Sequence, residues 1–325
     1  EINSEMNNYS FLQQILHKIA LSSQFMREIT FDLENSLIKS KKFKDNHVFV
    51  SGLARSGTTI LLNAIHKSNK FGSLSYEDMP FILAPNLWYK ISSISKKSKS
   101  IERAHGDGIF VSSKSPEAFE EVYWKTFNDK STISIQNFKL FINNIILKNK
   151  KKRYLSKNNQ NINRIKLISK SFSNSIIFIP FRLPLQHSNS LLFQHVKFRN
   201  ESKSDNFISD YMKIIGHTEF GPNYLPLVSN YKEKNHLELN HWLEQWYLTY
   251  KNLHDNIKNL KNVNFVCYEE LCKSKIVWEE ISKKININHF KFDFRLSLKE
   301  INLKYDKKLL AKCDLLYDQL KKISI

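Results

Sequence analysis

The stretch HVFVSGLARSGTTILLNAI, residues 47–65, constrains the fold more than any other part of the chain. A short apolar run from His47 to Ser51 meets a loop carrying Gly52 and Gly57, and the loop opens into an apolar-periodic segment starting near Thr58. Strand, glycine loop and helix in that order predict an anion site. Backbone N–H groups of such a loop and the positive end of the helix dipole both favour negative charge. The glycines are spaced as in G-x-x-x-x-G-K-[ST], but Thr58 stands where the lysine belongs, and Arg55 is the cation of the loop. The turn therefore suits phosphate and is poorly built to grip the β/γ-phosphates and magnesium of a nucleoside triphosphate.

A second segment, SNSIIFIPFRLPLQHSNSLLFQHVKF (173–198), holds a β-rich run from Ile176 to Phe181, then Arg182, Pro184 and a helical pattern containing Ser190. An arginine at a strand end and a serine on the following helix can close on one phosphate, one by its planar fork and the other by a hydroxyl. Together the two segments resemble the PAPS-dependent sulfotransferase family. The loop with Arg55, Ser56, Gly57, Thr58 and Thr59 resembles that family's 5′-phosphosulfate loop, and Arg182 with Ser190 resembles its R-x-P-(x5)-S 3′-phosphate site. Tyr268-Glu269-Glu270-Leu271, following the β-like Val263 to Cys267, looks like the family's late Y-E-D-L element. The resemblance runs from about Asn46 to about Asn286.

The resemblance implies an α/β fold: a P-loop-like three-layer sandwich with a central parallel sheet flanked by helices. It implies PAPS as co-substrate, no metal, and Arg55, Ser56, Gly57, Thr58, Thr59, Arg182, Ser190 and Tyr268 as cofactor-binding residues. Sulfuryl transfer needs positioning, donors aimed at the leaving phosphate, and a base for the acceptor hydroxyl. Arg55 cannot give up its proton, so its role is electrostatic, at the leaving 5′-phosphate. Lys157, closing the strand-like RYLSK, matches the lysine that relatives carry near the sulfuryl group, although Asn159 replaces their proline. Glu77 follows the second predicted strand and corresponds to the glutamate that takes the acceptor proton in tyrosylprotein and glycan-modifying relatives. Asp78 and His105 are the alternative bases, and the choice among the three stays open at this point. The acceptor class is open as well: carbohydrate, lipid, peptide or small metabolite.

Two other readings compete. A P-loop nucleotide kinase or NTPase would place a cation at position 58 and a magnesium carboxylate on a neighbouring strand, and Thr58 argues against it. A noncatalytic nucleic-acid-binding protein would rest on the net charge of +19. The basic residues are scattered, apart from Lys96–Lys99 and Lys148–Arg153, and no nucleic-acid-binding signature is visible. With 41% hydrophobic and 13% aromatic residues the chain can bury a sizeable core. No apolar run reaches membrane-spanning length. Cys267, Cys272 and Cys313 lack metal spacing or an obvious pairing, and a cytoplasmic setting is expected. The opening Glu1 leaves room for an upstream piece.

Along the chain, residues 1–45 are expected to form an N-terminal helical extension, with Phe11, Ile15 and Ile19, then Phe25, Ile29 and Leu33, facing the core. Residues 46–325 are expected to form one α/β domain. Its strands are expected at 47–51, 71–76, 153–157, 176–181 and 263–268. Ser115-Pro116-Glu117 reads as a helix start, 206–216 and 237–260 as helices, and 299–323 as a closing helix. His187 and His195, flanking Ser190, read as helix-surface or packing residues.

Overall fold

A computed structural model of the chain describes residues 20–21, 23–39, 41–92, 101–102, 110–111, 115–127, 132–201, 218–232 and 234–325. In chain order these form α1 (Gln24–Leu37), β1 (Val48–Val50), α2 (Thr58–Lys67), β2 (Phe71–Gly72), α3 (Pro85–Ser92), β3 (Ile101–Glu102), β4 (Phe110–Val111), α4 (Glu121–Phe127) and α5 (Thr132–Lys148). There follow β5 (Arg153–Lys157), α6 (Ile165–Ser171), β6 (Ile176–Phe181), α7 (Pro184–Glu201), α8 (Leu239–Ile257), β7 (Val263–Cys267), α9 (Tyr268–Lys273), α10 (Lys275–Lys284) and α11 (Lys307–Lys322). The fold is α/β, with a five-stranded parallel sheet of order β2-β5-β1-β6-β7 and, among the described residues, eleven α-helices. The strands are short and almost wholly buried, as expected for a parallel sheet covered on both faces. No described helix is long and apolar enough to cross a membrane.

The chain resolves into two compact units. The first gathers the described residues among 1–44 and 69–156, the second those among 45–68, 157–204 and 218–325. In the first unit β2 pairs with β5, Phe71 opposite Arg153. An aromatic cluster packs beside them: Tyr123 stacks on Phe141 and meets Phe138, Phe127 and Trp124. In the second unit β1 pairs with β6 and β6 with β7. The N–H of Asn158, just past β5, donates to Val50 O (3.1 Å), so the exit of β5 lies beside the exit of β1. Helix α8 bears its expected stripe, with Trp242, Trp246, Leu253 and Ile257 all buried.

Several expectations are corrected. Helix α1 forms, but Phe25 is 67% and Leu33 48% exposed, whereas Phe31 and Glu34 are the buried residues. The reason is a carboxylate turned inward. Glu34 accepts from the N–H groups of Asn86 (2.9 Å) and Leu87 (3.0 Å), capping the first turn of α3, so the helix rolls its polar residue toward the core. The second strand ends at Gly72 rather than Tyr76. Ser115–Glu117 does not start a helix. Pro116 bridges to Ser75 and the Glu117 N–H donates to Leu74 O (2.9 Å), which keeps this stretch extended until α4 begins at Glu121. The closing helix begins at Lys307, after a long irregular segment. The expectations for Phe11, Ile15, Ile19, His105 and 206–216 lie outside the described residues.

Candidate functional site

The turn between β1 and α2 is shaped by its glycines. A Cβ on Gly52 would lie 2.9 Å from both Pro180 O and Ser56 Oγ, so only glycine lets the loop pass β6 at this distance. Arg55 (φ 67°) and Gly57 (φ 99°) both adopt left-handed backbone, a conformation costly for residues with a Cβ. The chain reverses at both residues, and α2 begins at Thr58 behind Gly57, an N-cap residue that has no side chain to cap the first turn. The first-turn N–H groups of α2 are the donors that an anion would occupy. Ser56 and Thr58 are buried, Thr59 is half-buried, and Thr58 Oγ1 reaches Asn159 Oδ1 at 3.5 Å.

Helix α7 and the segment that leads into it grip this loop through three side chains. Arg182, just before the helix, donates from Nη1 to the carbonyl of Arg55 (3.2 Å). His187 donates from Nε2 to the carbonyl of Ala54 (2.8 Å). Ser190 Oγ accepts from Arg55 Nε (3.2 Å). The two predicted anion motifs, more than 120 residues apart in sequence, thus meet in one place. Arg182 Nε is buried without a hydrogen-bond acceptor; Glu269 Oε1 is 4.0 Å away. An arginine donor left over in this way, beside an uncapped helix start, fits a bound phosphate.

His187 is a site residue that sequence reasoning placed on the helix surface or in packing. It is fully buried, and burial, reinforced by Arg182 and Arg55, lowers its pKa to about 3, against the opposing bond to Ala54. It is therefore a neutral imidazole with its proton on Nε2. His195 is also buried, packed among Tyr224, Trp242 and His236 at ring distances of 5.2, 5.3 and 6.0 Å. No feature of the sequence separates these histidines from surface ones.

Tyr268 opens α9 with its ring against Gly57. Its hydroxyl donates to Arg295 O (2.9 Å), and the Arg182 guanidinium lies over the ring, 5.2 Å from its centre. Lys157 ends β5, buried, one residue before the Asn158 N–H that pairs with Val50 O. The second unit therefore gathers Arg55, Ser56, Gly57, Thr58, Thr59, Lys157, Arg182, Ser190 and Tyr268 around the exits of β1, β5, β6 and β7. Ligands of open α/β sheets bind at the carboxyl ends of strands.

Glu77 belongs to the first unit, on a single 3₁₀ turn, Tyr76–Asp78. Its backbone carbonyl accepts from Trp88 Nε1 (3.1 Å). Asp78 beside it is buried and committed: one oxygen accepts from the Ser75 N–H (2.7 Å) and the other pairs with Lys148 Nζ (2.9 Å).

The chain is similar to the sulfotransferase STF1 of Mycobacterium tuberculosis H37Rv, with a TM-score of 0.51 and 10% identity, over 99% of this chain and 86% of that one. It also aligns with a sulfotransferase of Alicyclobacillus acidocaldarius (TM-score 0.42, 14% identity, 86% of this chain and 95% of that one). A third alignment is with the sulfotransferase STF9 of Mycobacterium avium (TM-score 0.45, 11% identity, 98% and 80%). The first of these likenesses shows a sulfotransferase-like α/β fold. No protein-family model matches the chain, and no curated protein matches it in sequence.

Proposed function

We propose that this chain is a sulfotransferase that takes a sulfuryl group from PAPS and delivers it to a hydroxyl or amine acceptor. The observation that carries the reading is the convergence of Arg55, Arg182 and Ser190. It joins two anion-binding motifs in one unit, so that a nucleotide bearing phosphates at both ends of its ribose could engage both.

PAPS, when bound, supplies an activated sulfuryl group on its 5′-phosphate. The backbone donors of Gly57–Thr59 and the hydroxyls of Ser56, Thr58 and Thr59 serve that end. Arg55, permanently charged, stabilises negative charge as it builds on the departing phosphate. Lys157 is a second cation beside the loop. Arg182 and Ser190 serve the 3′-phosphate; Ser190 already accepts from Arg55 Nε and keeps its own hydroxyl proton to donate. Tyr268 braces the loop. Glu77 takes the acceptor proton. Asp78 is held by Ser75 and Lys148, and Glu77 is the more exposed of the two carboxylates.

Thermal-shift measurements with PAP, ATP–Mg2+ and mixed oligonucleotides test the reading. PAP should stabilise the protein at low concentration, equally with and without EDTA. Stabilisation by ATP–Mg2+ or oligonucleotides in place of PAP would overturn it. Labelled PAPS offered to a panel of carbohydrate, lipid, peptide and small-metabolite acceptors then identifies the product.

A further inference from the structure

Glu269 is a buried carboxylate directly after Tyr268, and the roles proposed above leave it unused. Its Oε1 accepts the N–H of Leu183 (3.0 Å), the residue between Arg182 and the start of α7, and lies 4.0 Å from Arg182 Nε. Its Oε2 accepts the hydroxyl of Tyr317 on α11 (3.1 Å), and Cys267 Sγ lies 3.7 Å from the same oxygen. The carboxylate is thus anchored from behind by β7 and α11 and faces forward onto the strand-to-helix junction that carries Arg182.

A buried carboxylate is costly unless charge and hydrogen bonds compensate it. Here the compensating charge is Arg182, and the Leu183 N–H fixes the backbone from which that side chain extends. Arg182 also rests over Tyr268 and holds the carbonyl of Arg55. The first two residues of α9 therefore act on one guanidinium, Tyr268 through its ring face and Glu269 through the side chain and the next peptide.

We infer that Glu269 is a positioning residue: anchored by Tyr317, it holds Arg182 in the orientation that recognises a second phosphate on the nucleotide. This inference rests on the proposed function and specifies how its 3′-phosphate contact is built. It assigns Glu269 no contact with substrate.

The test compares PAP with adenosine 5′-phosphate by calorimetry on wild type, Glu269→Ala, Glu269→Gln, Arg182→Ala and the Glu269→Ala/Arg182→Ala double variant. Glu269→Ala should weaken PAP about tenfold, on the scale of coupling between contacting residues, and leave adenosine 5′-phosphate within about twofold. Glu269→Gln keeps an acceptor for the Leu183 N–H and should recover most of the loss. In the Arg182→Ala background, Glu269→Ala should cost nothing further. An equal loss for both nucleotides, or a full effect in the Arg182→Ala background, overturns the inference.

Urea unfolding of the same variants without ligand separates this outcome from a failure of the functional reading. If wild type does not prefer PAP over adenosine 5′-phosphate, that reading fails. The pair is tested even so: the two substitutions should destabilise together less than the sum of their separate effects, and strict additivity would sink the positioning role.

Discussion

The ring of Tyr268 lies against the α-carbon of Gly57 so closely that a Cβ there would sit 2.4 Å from Tyr268 Cδ2 and 2.8 Å from Cε2. The residue that follows the last strand of the sheet thereby packs against the loop that follows the first. Tyr268 is held at its far end by the carbonyl of Arg295, so the ring cannot swing away without losing a bond. The loop's left-handed turn and the aromatic floor beneath it form one unit of structure.

Gly57→Ala should therefore be damaging in two ways. The new methyl meets the ring, and φ near 99° strains any residue with a Cβ. A stability loss of about 1–2 kcal/mol is expected from the backbone term alone. PAP affinity should fall at least about tenfold, the effect of a shift near 1.4 kcal/mol. Adding Tyr268→Ala relieves the clash and leaves the strain. Melting of the double variant should then show partial recovery relative to the sum of the two single variants. Simple addition of the two losses would show that ring and loop are independent.

Arg182→Ala should weaken PAP by about 1.5–3 kcal/mol, the worth of a hydrogen bond to a charged group, and leave adenosine 5′-phosphate nearly unchanged. Arg182→Lys should not rescue it. A lysine keeps the charge but offers neither the planar fork nor the face that lies over Tyr268. Calorimetry with the two nucleotides decides the matter, and equal weakening of both would remove Arg182 from the 3′-phosphate.

The parts of this site legible in the sequence are those written locally. Gly52 and Gly57 are spaced for a phosphate turn, and Arg182 and Ser190 flank a helix start behind an apolar strand. The parts that were not legible depend on contacts between distant segments. His187 reads equally as a helix-surface or a packing residue, because its burial depends on distant segments: the carbonyl of Ala54 in the loop and the Tyr250 ring of α8, 6.3 Å away. Glu269 meets Leu183 across 86 residues of sequence. On α1, hydrophobic periodicity selected Phe25, Ile29 and Leu33, and a single inward carboxylate, Glu34, outweighs that pattern by capping α3. Ser115-Pro116-Glu117 carries the residues of a helix start, yet bridging to Ser75 keeps it extended. On α1 and at Ser115–Glu117 a tertiary hydrogen bond overrides a local preference.

The adjacent acids Glu77 and Asp78 should separate cleanly under substitution. Asp78→Asn leaves an acceptor for the Ser75 N–H but strips the partner from Lys148, whose side chain is 8% exposed. Breaking a buried pair in this way costs about 3–5 kcal/mol, so the protein should melt markedly earlier. Glu77→Gln should lower turnover by about 10²–10⁴-fold, the range of general-base catalysis, with PAP affinity preserved. Normal turnover in Glu77→Gln would move the proton-accepting role to another group.

Acidification should destabilise the second unit through its buried histidines. Burial lowers the pKa of His195 to about 4, with Arg199, His236 and His241 adding to the effect, and that of His187 to about 3. Both lie below the ordinary histidine value near 6.5, so the unfolded chain binds these protons first. The stabilisation from keeping the rings neutral is complete above about pH 6.5 and is lost as pH falls toward 4 for His195 and 3 for His187. His195→Leu removes one of the two titrations and keeps an apolar side chain among Tyr224 and Trp242. Its melting temperature should fall less steeply than that of wild type between pH 6.5 and 4. Melting curves at half-unit steps of pH test this directly. Parallel curves for the two proteins would mean that His195 is protonated as readily in the folded chain as in the unfolded one, which burial between α7 and α8 should prevent.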